Sequence, residues 1–401
     1  MSALENAKKL SKEEVLNKIA ALNLQEYGLC AENLNDRLKA ALQESEEEGK
    51  ECGVAAALNN ADTAGVLLDV LRGNPERVME GISIAAYALG VEKKVLYIPE
   101  YAKELAEDLK ATAEKYQIEI IVKLVDVRVS KGNALIHIIT AAFLADIFDD
   151  SFEAGIYVSV NGAAVKKVVY DAKIADIIGA ESLKNAKGLL IGYQYYGIDA
   201  AEKTVAEFPV ENGVIKVLTE KDCIVSETEK ALTASRKQSC GKCVFCREGL
   251  LQLQYMQKEI TEGRGKAEFI ELTKEIGDAM TYSTPCTMGQ VSSKIALSAV
   301  ELFESEYAAH IKKKNCPAGV CFSTETIYID PKRCQGCGDC MDVCPKDCIE
   351  GKAKYIHMID DFDCDKCGKC MEACEEGAII KTSGKVPKLP NRLTKVGRFK
   401  R

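Results

Sequence analysis

Tryptophan is absent from this chain of 401 residues, aromatic side chains make up only 6%, and there are three histidines. With so few flat rings there is little for bases to stack on, and a formal charge of −8 opposes a polyanionic partner. No nucleic acid is therefore expected to bind. Long apolar runs are also missing. The longest, Ala134 to Phe148, is too short to cross a bilayer and carries His137 and Asp146. The start, Met1-Ser-Ala-Leu-Glu-Asn-Ala-Lys-Lys, has no apolar core of a signal peptide. Neither G-x-G-x-x-G nor a Walker loop occurs, and no catalytic triad or carboxylate pair stands out. The remaining 47% hydrophobic and 28% charged composition is that of a soluble globular protein. A cytoplasmic setting is expected, with no membrane span.

What is present is cysteine, eighteen in all. In a chain this long they do not form the disulfide framework of a small secreted domain. Cys334-Gln-Gly-Cys337-Gly-Asp-Cys340-Met-Asp-Val-Cys344-Pro345 is echoed about thirty residues later by Cys364-Asp-Lys-Cys367-Gly-Lys-Cys370-Met-Glu-Ala-Cys374. A [4Fe–4S] cube needs four converging thiolates. A C-x2-C-x2-C loop supplies three, and in two-cluster ferredoxins the fourth comes from the other motif, often just before a proline. The expected sets are Cys334, Cys337, Cys340 and Cys374 for one cluster, and Cys364, Cys367, Cys370 and Cys344 for the other. Gly336, Gly338 and Gly368 allow the tight turns. Zinc knuckles, the rival reading, use paired C-x2-C units with four ligands in all and do not explain two tandem runs. A further loop, Ser239-Cys240-Gly-Lys-Cys243-Val-Phe-Cys246-Arg247, has Cys286 downstream as its fourth thiol, which makes a third [4Fe–4S] site.

Residues 1–50 read as two helices, the first opened by the capping box Ser11-Lys-Glu-Glu14 with Val15, Ile19 and Leu22 on one face. The second, near Asn33 to Gln43, is expected to end in a solvated acidic loop at Glu44-Ser-Glu-Glu-Glu48. Asn74-Pro75 starts a helix that Gly90 stops. Strands at Val95–Ile98 and Ile118–Val125 alternate with helices at Tyr101–Tyr116 and Ala134–Phe148, which implies a parallel sheet covered by helices. Short strands then follow at Tyr157–Val160, Lys167–Tyr170, Leu189–Tyr193 and Val214–Leu218, with Asn161-Gly162 as a turn and a short helix at Ile174–Ile178. Three helical segments at Arg247–Glu262, Lys266–Met280 and Gln290–His310 make a small bundle. The tail, Lys385 to Arg401, carries seven basic residues and two prolines and cannot build a core. It reads as an arm on a partner or on the protein's own acidic surface, or as a disordered tail.

The stretch Ser239–Gly249 with Cys286 resembles the flavin- and NADH-binding subunit of respiratory complex I. The resemblance implies a single cluster there beside a flavin. It implies a flavoprotein-like α/β domain at 1–150 and a β-grasp domain of the soluble-ligand-binding (SLBB) kind at 151–220. A helical bundle with one cluster would fill 221–314. The ferredoxin-like module at 315–384, with Asn315-Cys316-Pro-Ala-Gly-Val-Cys321, is similar to the related subunit of electron-bifurcating iron hydrogenases and NAD-dependent formate dehydrogenases; the basic tail, 385–401, follows. The fold class implied is α/β.

One departure stands against this likeness. The family binds FMN phosphate and NADH with a glycine-rich loop; the corresponding place here is Leu24-Gln-Glu-Tyr-Gly28-Leu-Cys30-Ala-Glu-Asn-Leu. A phosphate cradle needs glycines so that successive amides point inward. NAD binding is expected to be lost, and FMN with it, although Asn59, Asn60 and Asp62 could still meet a flavin's polar edges.

Cys316, Cys321, Cys348 and His357 match the ligand types of a tetrahedral zinc site. In the alternatives Cys348 is a buried small hydrophobe and His357 a surface residue, or the group holds a [2Fe–2S] cluster. His137 and His310 read as helix residues, and Cys30, Cys52 and Cys223 as packing or unassigned thiols. The function expected is electron relay between subunits of a flavin-dependent, electron-bifurcating complex. Its partners would be a flavoprotein, a thioredoxin-like [2Fe–2S] subunit or ferredoxin. A complete NADH-oxidising flavoprotein and a scaffold whose clusters only support the fold are the other readings.

Overall fold

The computed structural model describes residues 2–28, 32–126, 132–321, 326–360, 364, 366–382 and 386–399. The chain forms two compact units. The first comprises Met1–Glu220, Thr228–Gln254 and Ile270–Phe303; the second comprises Lys221–Glu227, Tyr255–Phe269 and Glu304–Arg401.

The first unit is built on a four-stranded sheet of β1 (Gly53–Ala57), β2 (Lys93–Ile98), β3 (Glu119–Val122) and β4 (Asn133–His137), in the order β3-β2-β1-β4. Every pairing is parallel, with Ala55 opposite Val95 and Leu135. Such a sheet needs cover on both faces. Part of that cover is the helix Pro75–Leu89, which Asn74 caps and Gly90 ends in the left-handed conformation, as the sequence predicts. It packs on the helix Ile138–Phe148 so closely that a Cβ on Gly81 would lie 1.7 Å from the Ala141 carbonyl oxygen. Arg77 ties the pair together, its guanidinium donating to Asp146 at 2.6 Å and Asp149 at 3.0 Å.

Local differences from the sequence reading have physical causes. The apolar run from Ala134 is not one helix. Its first four residues belong to β4, and the turn into the helix is made by His137, whose Nδ1 accepts from the Ile139 amide. Strand and helix are both buried, so neither shows a periodic polar face. The acidic stretch at 44–48 continues the helix Leu34–Glu48 to Gly49, since glutamate is a good helix former and the left-handed glycine supplies the stop. The Ser11–Glu14 capping box forms, with Val15 and Ile19 buried, but Leu22 lies past the helix end and is exposed.

A five-stranded mixed sheet follows: β5 (Ile156–Val160), β6 (Lys166–Val168), β7 (Ala186–Ile191), β8 (Gln194–Tyr196) and β9 (Val214–Thr219), ordered β6-β5-β9-β7-β8. Asn161 and Gly162 both take positive φ, as their turn requires. The remainder of this unit is helical: Ile224–Gln238 from Thr228, Val244–Thr261 up to Gln254, Glu268–Ser283 from Ile270, Thr287–Val291 and Lys294–Leu302. The third predicted bundle helix is thus broken into shorter pieces.

In the second unit the helix Glu304–Lys313 is anchored by Tyr307, whose hydroxyl donates to Gln257 at 2.7 Å, and by Glu306, which accepts from the Ile224 amide at 2.8 Å. The cysteine-rich repeat that follows pairs β10 (Thr326–Ile329) with β13 (Ile379–Thr382) and β11 (Ile349–Glu350) with β12 (Met358–Ile359), all antiparallel. The basic tail is tied to this module by backbone bonds. The Ile356 amide donates to Thr394 and the Val396 amide to Lys354, while Val396 and Phe399 pack on the module's core.

Candidate metal centres

In the first unit, Cys240, Cys243 and Cys246 lie on the turn that enters the helix from Val244. Gly241 takes a positive φ there, and its amide donates to the Ser239 hydroxyl. Cys246 is buried at the first helical turn, Cys240 is exposed, and Cys286 is the cap residue of the helix Thr287–Val291. Burial, together with the neighbouring thiols of Cys286, Cys240 and Cys243, pushes the Cys246 thiol up. The other three predicted thiols are thus all neighbours of Cys246.

The repeat in the second unit brings two further groups together. Burial and the thiols of Cys334, Cys337, Cys370 and Cys374 push Cys340 up to about 12. Cys370 is raised by burial and by Cys364, Cys367 and Cys344. The neighbours of Cys340 thus include Cys374 from the other motif, and those of Cys370 include Cys344. Gly338 and Gly368 have positive φ at the start of the short helices Asp339–Asp342 and Lys369–Ala373, which carry Cys340 and Cys370.

The predicted zinc set is not assembled. Cys348 lies with its Sγ 3.4 Å from that of Cys344, and the Nδ1 of His357 is 3.8 Å from the Sγ of Cys334. His357 is buried, not a surface residue. Cys316 and Cys321 instead meet Cys223 and His310, with all four ligand atoms within 4.8 Å of one another and all four residues buried. Cys223 is therefore not an isolated thiol, and His310, which does lie in a helix, is grouped with three thiols. Gly319, at φ 69, turns the Cys316–Cys321 loop. The Sγ of Cys223 is 3.3 Å from the Nε2 of His310 and 3.4 Å from the Sγ of Cys321. The other ring nitrogen of His310 donates to the Glu306 carbonyl at 2.8 Å, which turns Nε2 toward the thiols as metal-binding histidines require. The Cys321 thiol holds the Cys223 thiol well below its usual range, with help from His310, and Cys321 is raised in turn. The signal available in sequence was His310 six residues before a C-x4-C pair. Cys30 lies outside the described residues, and Cys52 is a buried thiol of the first unit's core.

In the loop expected to replace the phosphate cradle, three of the described amides are bonded within the protein. Glu26 donates to the Glu32 carbonyl at 2.8 Å, Tyr27 to the Thr140 hydroxyl at 2.9 Å, and Leu34 to Leu24 at 2.9 Å. The buried Glu26 carboxylate accepts from the His137 amide, at the start of the helix Ile138–Phe148. Burial pushes Glu26 up to about 7 and His137 down to about 3. The cavity here, about 220 Å³, is bordered by Glu26, Arg37, Asn59, Asn60, Cys286 and Gln290. Asn59 accepts from the Thr287 hydroxyl at 2.7 Å, and Asn60 donates to the Val125 carbonyl at 2.8 Å. Asp62 is buried on the Gly65 amide, away from that cavity, and burial raises it to about 7.

With this geometry in place, comparison with known proteins identifies the two cysteine-rich regions. The NADH-ubiquinone oxidoreductase-F iron-sulfur binding region matches residues 227–310, and a 4Fe-4S dicluster domain matches residues 326–381. The chain thus carries two iron–sulfur domains. Among curated relatives it is 38% identical over 146 residues to the NADP-reducing hydrogenase subunit HndC of Solidesulfovibrio fructosivorans, covering 36% of this chain and 30% of that one. It is 28% identical over 123 residues to the F subunit of NADH-quinone oxidoreductase in Mycobacterium tuberculosis (strain ATCC 25618 / H37Rv), covering 31% and 26%. The matches thus span under a third of either relative's length. The crystal structure of an NAD+-reducing [NiFe]-hydrogenase in the H2-reduced state shares the fold, with a TM-score of 0.64 at 15% identity over 78% of this chain and 65% of that one. Among the described residues no helix is long and apolar enough to cross a membrane.

Proposed function

We propose that this chain is an electron relay with three [4Fe–4S] sites and no nicotinamide site of its own. It would work between subunits of a cytoplasmic flavin-dependent complex of the electron-bifurcating kind. The sites are Cys240/Cys243/Cys246/Cys286, Cys334/Cys337/Cys340/Cys374 and Cys344/Cys364/Cys367/Cys370. When bound, each cluster supplies a one-electron step. The protein's part is to hold the thiols, with Cys246, Cys334, Cys340 and Cys370 buried, and to leave Cys240, Cys337 and Cys367 at the surface, where a partner can approach. A flavoprotein, a thioredoxin-like [2Fe–2S] subunit and ferredoxin are partners of the right chemistry. We read the five-stranded sheet as the β-grasp domain, and the boundaries at 150, 220, 314 and 384 as its limits and those of its neighbours.

The observation that carries the relay reading is Glu26. Its carboxyl group occupies the helix start, and one of its oxygens has no partner. A phosphate brought there would meet a carboxylate and amides already bonded. The cavity is also below the roughly 300 Å³ at which cofactor pockets begin. FMN and NAD therefore do not fit these residues. Cys223, His310, Cys316 and Cys321 suit a structural zinc ion, with three thiolates and one imidazole and no open position. The test is anaerobic purification of the full chain with iron and flavin assays, followed by addition of NADH and then dithionite. About twelve irons, no flavin, and bleaching by dithionite alone are expected. Bound flavin with bleaching by NADH would instead establish the NADH-oxidising flavoprotein.

A further inference from the structure

The two halves of the cysteine repeat match residue for residue. Gly336 and Lys366 both take positive φ, as do Gly338 and Gly368, and Asp347 and Gly377. This register makes Ala378 the counterpart of Cys348. The Ala378 amide donates to the Sγ of Cys374 at 3.4 Å, and the Cys348 amide bonds to Cys344 in the same way. The two Cβ atoms therefore hold equivalent places beside equivalent cluster ligands. Ala378 fills its place with a methyl group, so packing does not call for a sulfur there.

Cys348 adds one nonetheless. Its Sγ is 3.4 Å from that of Cys344, and it reaches the Cys364 thiol as well. It is buried in a small chamber lined by Ile327, Ile349 and Ile359 together with Cys344, Cys364, Cys367 and Cys370. One site thus has five thiols and its twin has four. A cube takes one thiolate per iron, so one of the five is always spare.

We propose that Cys348 is a reserve ligand for the iron that Cys344 holds, which rests on the reading of Cys344, Cys364, Cys367 and Cys370 as a [4Fe–4S] site. In the exchange the Cys348 thiol gives its proton to solvent and forms the Fe–S bond. The Cys344–Fe bond breaks, and that thiolate takes up a proton. No electron is transferred. The exchange lets the five-thiol site keep its iron when Cys344 is lost, whereas the four-thiol site has no such recourse.

The test compares full-length chains purified anaerobically, read by iron content, by electron paramagnetic resonance of the oxidised and reduced protein, and by mapping which thiols iodoacetamide alkylates. Wild-type protein with about twelve irons, and loss of iron in Cys374→Ala, would establish the underlying sites independently of Cys348. Cys348→Ala should keep all its iron. Cys344→Ala should also keep it, with Cys348 becoming protected from alkylation, and Cys344→Ala/Cys348→Ala should lose it. The transplanted pair Cys374→Ala/Ala378→Cys should regain the iron that Cys374→Ala loses, and this arm decides the matter if Cys344→Ala fails to fold. Iron loss in Cys344→Ala equal to that in Cys374→Ala, with Cys348 open to alkylation, would overturn the proposal, as would a transplant that restores nothing.

Discussion

Replacing His310 with alanine should empty the fourth metal site and leave the three clusters in place. A tetrahedral zinc ion with Zn–S of about 2.3 Å sets its sulfurs about 3.8 Å apart, and each sulfur about 3.6 Å from the histidine nitrogen. The separations here are 3.4 Å between Cys223 and Cys321 and 3.3 Å between Cys223 and His310, so the ligands need to spread by only a few tenths of an ångström. Losing a ligand outright should weaken binding more than losing an outer-shell partner does, hence by over about 100-fold, or roughly 2.7 kcal/mol. Metal analysis after dialysis against a chelator reads this directly. Wild type and His357→Ala should each retain one zinc per chain, while His310→Ala and Cys223→Ser should retain almost none. Iron should stay near twelve in His310→Ala and Cys223→Ser, because neither residue belongs to a proposed cluster. Zinc that survives His310→Ala but vanishes in His357→Ala would restore the ligand set predicted from sequence. Wild-type protein without zinc would refute both assignments.

Three further outcomes follow from the geometry. Cys286→Ser should damage the first unit's cluster alone; paramagnetic resonance that shows all three signals lost, or none, would contradict the grouping. Gly81→Ala gains about 1 kcal/mol of helix propensity but drives a methyl into the Ala141 carbonyl, so a net loss of about 2 kcal/mol should lower the thermal transition. Glu26 is raised from 4.5 to about 7, so the folded chain holds a proton that the unfolded chain has released. Its contribution is full below pH 4.5 and fades as pH rises through 7. Between pH 6 and 8 the wild type should lose about 1 kcal/mol of stability that Glu26→Gln does not lose, and identical denaturation curves for the two proteins would contradict this.

The thiol loops were legible because cluster ligation is written in local spacing and because glycines mark their turns. Half of the fourth site was legible for the same reason: only four residues separate Cys316 from Cys321. The other half was not, since Cys223 is distant in sequence and His310 sits in a helix whose apolar period absorbs it. Cys348 and His357 offered the right atoms nearer in sequence, and only the three-dimensional arrangement sends them to other cysteines. In the α/β region, Asn74-Pro75 and Gly90 marked a helix to the residue. Gly53–Ala57, the strand between β2 and β4 in the sheet, went unseen because Gly-Val-Ala-Ala-Ala has little of the branched character that marks strands. The division of 221–314 between two compact units has no compositional signal, because helices run through both.

The loop after β1 gives the α/β domain a structural role beside the thiols of the first unit. Asn59, Asn60 and Asp62, expected from the sequence to meet any flavin, have bonds that run to the segments carrying the bundle cysteines. The Thr287 hydroxyl, next to Cys286, donates to the Asn59 side chain at 2.7 Å. The Gln238 amide group, two residues before Cys240, donates to the carbonyls of Asn60 and Asp62, each at 3.2 Å. One short loop therefore braces both the three-cysteine turn and the lone fourth cysteine, which are separated by about forty residues. Thiols from two segments can hold a cube only while those segments keep their spacing, and the parallel sheet beneath the loop sets that spacing. On this argument Asn59→Ala should lower the iron retained at the first unit's cluster under mild chelation and leave the dicluster module unchanged. Equal iron loss from all three sites, or from none, would separate the domain's persistence from the cluster it adjoins.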